Sequence, residues 1–116
     1  MKVGVVGAGG LGYHHVRILR ESADVEFVGF YESRADRATQ VASELGATAF
    51  PSLEALIGAT DALTIVVPTP AHYAVARQAL EAGRHLLVEK PLAATLAEAD
   101  ELVSLAAARG VVLQTG

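Results

Sequence analysis

A doubly wound α/β fold built on a parallel sheet is expected from three features of this sequence. Short apolar runs alternate with helix-spaced segments along the whole chain, and the links between them are short. The first run ends in a glycine turn, Gly7-Ala8-Gly9-Gly10-Leu11-Gly12, which leads straight into helix-spaced Tyr13-His14-His15-Val16-Arg17-Ile18-Leu19. Four polar or turn features each follow a strand: the glycine turn, Glu32, Pro68-Thr69-Pro70 and Glu89-Lys90-Pro91. In a parallel sheet all four gather along the edge formed by the strands' carboxyl ends.

Each element carries a local signal. Val3 to Val6 is the first strand, and its unbroken apolar character suits burial on both faces. A helix from Gly10 to Glu21 stops at Ser22-Ala23-Asp24, and Val25 to Tyr31 makes the second strand. Ser33 or Asp36 caps a second helix that carries Ala38, Val41, Ala42 and Leu45 on one face and stops at Gly46. Thr48-Ala49-Phe50 is a short third strand, and Ser52 caps a brief helix from Leu53 to Ile57. Asp61 to Val67, the most β-rich run, is the fourth strand; Pro68-Thr69-Pro70 is an extended turn before a helix from Ala71 to Ala82. His85 to Val88 is the fifth strand. Thr95 and Glu98 form a capping box on a helix that runs to Arg109, and Val111 to Gln114 is the sixth strand. The expected strand order is 3-2-1-4-5-6, with helices on both faces and a ligand near the switch between strands 1 and 4.

Composition narrows the function classes. The 116 residues suffice for one domain with a core, and 52% hydrophobic against 19% charged residues excludes a disordered chain. No apolar run is long enough to span a bilayer. Met1 to Val6 is strand-like, without the basic-then-apolar pattern of an export signal, so a cytoplasmic protein is expected. The absence of cysteine excludes disulfides and thiol catalysis, and no metal site is expected. A formal net charge of −4 gives no electrostatic reason to expect nucleic acid as a partner.

The glycine turn carries the first chemical expectation. Gly7 permits the turn, Gly9 lets the backbone approach a phosphate, and Gly12 lets the helix sit close to the strand. Gly10 and Leu11 open that helix, whose free N–H groups and positive dipole end suit a pyrophosphate. Glu32 lies 20 residues beyond Gly12, where a carboxylate can accept hydrogen bonds from both hydroxyls of an adenosine ribose. That favours NAD. Ser33 and Arg34 follow at once, and a hydroxyl beside a guanidinium is a phosphate clamp, which leaves NADP as the alternative. The plain readings of the same residues are a structural turn and a solvated loop carboxylate.

The residues together resemble the N-terminal Rossmann domain of the Gfo/Idh/MocA oxidoreductases (glucose-fructose oxidoreductase, inositol dehydrogenase and relatives). The resemblance spans the chain. It rests on the glycine turn with His15 three residues later, on Pro68-Thr69-Pro70-Ala71-His72, and above all on Glu81-Ala82-Gly83-Arg84-His85-Leu86-Leu87-Val88-Glu89-Lys90-Pro91-Leu92. It implies a domain that binds NAD(H) or NADP(H) and belongs to enzymes acting on sugars, cyclitols and related hydroxy compounds. By this resemblance Lys90 is the catalytic residue, its ammonium stabilising charge on the reacting oxygen. Glu89 orients the loop and touches the nicotinamide ribose, and Val67, Pro68 and Thr69 border the nicotinamide. His72 either faces the cofactor cleft or caps its helix. His15 is a structural hydrogen-bonder and His85 a packing residue, while His14 has no assigned place.

Two departures stand out. The family's Thr-Pro after the fourth strand is Val67-Pro68 here, which removes one hydroxyl near the nicotinamide. The family also carries a second α/β domain that binds substrate and supplies proton-transfer groups, and this sequence stops where that domain is expected to begin. These residues are therefore expected to bind dinucleotide without turnover, a sugar-like substrate needing the second domain. Self-association through apolar surface on the last helix and sixth strand is a further expectation. The alternative functions are a stand-alone nucleotide-binding module or sensor, and a minimal Rossmann scaffold without chemistry.

Overall fold

The computed structural model describes residues 1–116. Five strands, β1 (Lys2–Val6), β2 (Glu26–Tyr31), β3 (Ala62–Ile65), β4 (His85–Val88) and β5 (Leu113–Thr115), form one parallel sheet in the order β2-β1-β3-β4-β5. Five helices alternate with them: α1 (Gly10–Glu21), α2 (Ala35–Leu45), α3 (Leu53–Ala59), α4 (Thr69–Glu81) and α5 (Leu96–Arg109). No helix is long and apolar enough to cross a membrane.

Successive strand residues point to opposite faces, and Val5 and Val6 show what that does. Val5 packs with Ala8, Val16, Phe30 and Val41 under α1 and α2. Val6 joins a larger cluster with Leu56, Leu63, Ile65, Leu80, Val88 and Leu102 under α3, α4 and α5. Fully buried side chains such as Phe30 and Leu80 contribute about 2–3 kcal/mol each relative to exposure. Beyond β1 on the α1 face lies a shallow apolar hollow bordered by Leu19, Leu87 and Gln114. On the outer side, Leu96, Val103 and Val112 are exposed.

The sheet has five strands where six were expected. Thr48-Ala49-Phe50 lies beside β2 as anticipated, but makes a single parallel bridge, Phe30 with Ala49. Phe30 N donates to Thr48 O at 3.0 Å and Phe50 N to Phe30 O at 2.8 Å; then Pro51, which has no N–H, stops the ladder. The remaining order matches the expected one. The fourth expected strand is shorter, ending at Ile65, although Val66 N still donates to Val6 O at 2.8 Å. The last strand sits at Leu113–Thr115, two residues later than its expected start.

The helix ends divide between expected and corrected. Ser52 accepts from Ala55 N at 3.1 Å, and Gly46 and Gly110 close α2 and α5 in the left-handed conformation. Thr95 accepts from Glu98 N at 3.2 Å, but the Glu98 carboxylate returns no bond, so half the capping box forms. Neither Ser33 nor Asp36 caps α2: the cap position is Arg34, whose amide donates to Glu32. The extended turn at Pro68-Thr69-Pro70 is also shorter than expected. Helix α4 begins at Thr69, and Pro70 fits its first turn because an N–H there has no intrahelical partner to lose.

Candidate functional site

Every residue singled out for the site, from the glycine turn through Glu32, Ser33 and Arg34 to Thr69, His72 and Lys90, lines one cleft of about 750 Å³ at the strands' carboxyl ends. The cleft exists because β1 and β3 are neighbours while their following helices leave on opposite faces of the sheet.

The glycine turn is fixed by its own backbone. Gly7 has φ 98° and donates its N–H to Tyr31 O at 2.8 Å. A Cβ on Gly12 would stand 2.0 Å from Gly7 O, so α1 approaches β1 as closely as a side-chain-free residue allows. The outer glycines differ. A Cβ on Gly9 would meet only Arg34 Nη2, at 3.7 Å, and one on Gly10 would meet nothing. Space is therefore open above the start of α1, where no side chain caps the helix and no acid sits in the first turn. Free N–H groups facing open space suit an anion.

Glu32 stands at the end of β2, 9% exposed. It accepts from Ala8 N at 2.9 Å, from Arg34 N at 2.9 Å and from Arg34 Nε at 3.0 Å. Burial pushes its carboxyl up, but the bonds from Arg34 and Ala8 outweigh that and hold it at about 2, so it is a fixed anion at neutral pH. The Arg34 guanidinium lies largely in solvent. Arg37, which the sequence reading missed, donates from Nε to Ala8 O at 2.8 Å and lies over the Tyr13 ring at 5.6 Å. It braces the turn from α2. Tyr31, Leu53 and Val75 add apolar wall to the cleft.

The other end is formed by the turns after β3 and β4. Glu89 N donates to Ile65 O at 3.2 Å, and Glu89 Oε1 lies 3.2 Å from His15 Nε2, linking this turn to α1. Lys90 is exposed, and the Lys90–Pro91 peptide bond is cis. His72 borders the cleft but does not cap α4. Its ring is buried, with Nδ1 2.8 Å from Pro91 O and Nε2 2.8 Å from Val67 O. His85 Nδ1 accepts from Val112 N at 3.0 Å, a packing role away from the cleft. His14 is exposed and its ring meets Tyr13 edge-on.

Residues 1–116 match the Gfo/Idh/MocA family model, described as an oxidoreductase family with an NAD-binding Rossmann fold. The UDP-N-acetylglucosamine 3-dehydrogenase of Acidithiobacillus ferrooxidans is 43% identical over 116 residues, covering 100% of this chain and 36% of the relative; its structure superposes with a TM-score of 0.92. The gentamicin A biosynthesis protein GenD2, solved with NAD, is 30% identical with a TM-score of 0.92 over 100% of this chain and 34% of its own. Biliverdin reductase from Synechocystis, solved with biliverdin and NADP+, is 30% identical with a TM-score of 0.91 over 98% of this chain and 37% of its own. The chain thus spans little more than a third of the length of these relatives.

Proposed function

Because this chain belongs to the Gfo/Idh/MocA oxidoreductase family and is an NAD-binding Rossmann domain, we propose that it is the cofactor half of an NAD(P)-dependent oxidoreductase acting on a sugar, cyclitol or related hydroxy compound. A further domain binds the substrate and supplies the general base. The observation that carries this reading is an exposed lysine, Lys90, in the same cleft as a glycine turn and a buried acid. A pure binding module needs the turn and the acid but not the lysine.

The residues fit a dinucleotide. Gly9, Gly10 and Leu11 offer the pyrophosphate open space and unpaired N–H groups, while Gly7 and Gly12 keep strand and helix close enough to aim them. Glu32 offers its carboxylate to the adenosine ribose, with Ser33 and Arg34 beside it. Val67, Pro68, Thr69, His72 and Glu89 border the nicotinamide half. The nicotinamide, when bound, supplies hydride exchange with the substrate carbon. The Lys90 ammonium donates a hydrogen bond to the reacting oxygen and stabilises the charge that develops there. Glu32, fixed and ionised, repels a 2′-phosphate, so NAD is preferred over NADP by about tenfold, with Arg34 keeping NADP acceptable.

Titrating NADH and NADPH into the chain, then mixing it with oxidised cofactor and a panel of sugars and polyols, tests the reading. Saturable binding without formation of reduced cofactor is the expected result. Absence of binding overturns the cofactor assignment, and steady turnover overturns the need for a further domain. The exposed apolar residues Leu96, Val103 and Val112 also favour self-association, which light scattering over a concentration series measures.

A further inference from the structure

Arg37, in the first turn of α2, is half-buried and held at several points along its side chain. Nε donates to Ala8 O at 2.8 Å, and Nη2 lies 3.5 Å from Gly9 O. Nη1 donates to Gln40 Oε1 at 3.1 Å, and the guanidinium carbon stands 5.6 Å from the centre of the Tyr13 ring on α1. An arginine that only solvates its own helix has no such hold on a distant turn.

These contacts converge on Ala8. Its N–H donates to Glu32 Oε1 at 2.9 Å while its carbonyl accepts from Arg37, so an anion and a cation hold the peptide groups on either side of one Cα. Charge-assisted bonds of this kind are roughly twice as strong as neutral ones. In a trans peptide the C=O and the N–H point in opposite directions. With Ala8 O drawn toward α2, the Gly9 N–H is directed away from α2, a helix that gives no residue to the cleft wall. Tyr13 N is the first amide of α1 with an intrahelical partner, Gly9 O at 2.8 Å, and the amides of Gly10, Leu11 and Gly12 before it have none. A glycine after the Ala8–Gly9 peptide eases its rotation. A flipped peptide would present a carbonyl oxygen where an anion needs a donor.

We propose that Arg37 is a positioning residue for the pyrophosphate: it holds the Ala8 carbonyl against α2, opposite the hold of Glu32 on the Ala8 amide, and so keeps the donors that open α1 aimed into the cleft. This rests on the dinucleotide reading above. Arg37 is not part of the cleft wall and acts through the turn. Its charge adds a general pull on anions, which a lysine would share. A lysine, however, carries a methylene where arginine carries Nε, and loses the donor that faces Ala8 O. Glu32 keeps its bonds from the Arg34 amide and guanidinium in either case, so the ribose end stays fixed.

The experiment titrates ADP-ribose, which carries the pyrophosphate, and adenosine, which carries no phosphate, into the wild-type chain, Arg37→Lys and Arg37→Met. Each protein is also melted by circular dichroism. Saturable ADP-ribose binding by the wild type checks the dinucleotide reading separately, and its absence overturns that reading and this one together. Arg37→Lys should lose about fivefold in ADP-ribose affinity with adenosine kept within about twofold, and Arg37→Met should lose at least as much. Unchanged ADP-ribose affinity in folded Arg37→Lys overturns the proposal. So does an equal loss of both ligands, which marks a merely structural role. The ligand-free wild type gives an independent check should a variant unfold. Nuclear magnetic resonance of its arginine side chains should find a slowly exchanging hydrogen on Arg37 Nε, and rapid exchange there overturns the brace.

Discussion

Glu32 and Lys90 mark the two ends of one cleft, and the chain holds them by different means. Glu32 is gripped mainly by a near neighbour in sequence: Arg34, two residues on, donates both its amide and its guanidinium, and Ala8 adds one amide. Lys90 is exposed, and the groups that frame it come from far along the chain, through Ile65 O, His15 and His72. The β2 end is thus a charge fixed before any ligand arrives. The β4 end is a free cation on a framed backbone. On the proposed function, selection of a ligand and action on it are expected to be separable: substitutions at the first end should alter which dinucleotide binds, and substitutions at the second its reaction once bound.

The largest expected effect lies in the turn that both ends share. Gly12→Ala places a Cβ 2.0 Å from Gly7 O, and the clash is with rigid backbone. We expect a loss of about 3 kcal/mol in denaturant unfolding, which removes both functions together. Gly9→Val breaks only the binding end. Its Cβ meets nothing closer than Arg34 at 3.7 Å, so the melting temperature should hold while NADH affinity falls by about a hundredfold. Unchanged NADH affinity in folded Gly9→Val would show that the open space above Gly9 is not where the phosphates go.

Glu32 sharpens the contrast in two measurements. Glu32→Ala should lower NADH affinity by about tenfold and raise that for NADPH, seen in paired titrations. If the wild type already prefers NADPH, Arg34 and not Glu32 makes the selection. The lowered carboxyl also sets a pH dependence. Its folded value of about 2 lies below the usual 4.5, so the stability it contributes is complete above about 4.5 and is lost as pH falls toward 2. Over that window the unfolding midpoint of Glu32→Gln should fall less steeply than that of the wild type. The smallest effect is expected at the far end. Lys90→Ala should change neither melting nor NADH affinity by more than about twofold, since the side chain is exposed and bonded to nothing in the protein. A large binding loss there would erase the distinction between the ends.

The same contrast explains what could be read in advance. The glycine turn, Glu32 and the caps at Ser52 and Thr95 were legible because each depends on residues a few places apart or on a fixed spacing between elements. Arg37 was missed because its partner, the Ala8 carbonyl, lies 29 residues away and a helix-face arginine has no local mark. The link between His15 and Glu89 spans 74 residues, and the Pro91 carbonyl lies 19 residues from His72. Only the folded sheet brings them together. The third strand was overestimated for a local reason: Thr48-Ala49-Phe50 has strand-forming residues, but a proline at position 51 leaves room for one bridge. The expected caps on α2 failed: Arg34 takes the cap position in an extended conformation, its amide bonded to Glu32.

Arg34 and Arg37 both stand beside the glycine turn in a chain whose formal net charge is −4. Arg34 is paired there with the ionised Glu32, so the local pull on an anion rests on Arg37 and the free amides of α1. A doubly negative pyrophosphate thus approaches against the overall charge and is drawn in only near the turn, within a screening length of about 8 Å at physiological ionic strength. Salt acts on both fields, weakening the distant repulsion as well as the short-range pull. Capture rate should therefore respond weakly to ionic strength, while escape, which begins in contact with Arg34 and the α1 amides, should quicken as salt is added.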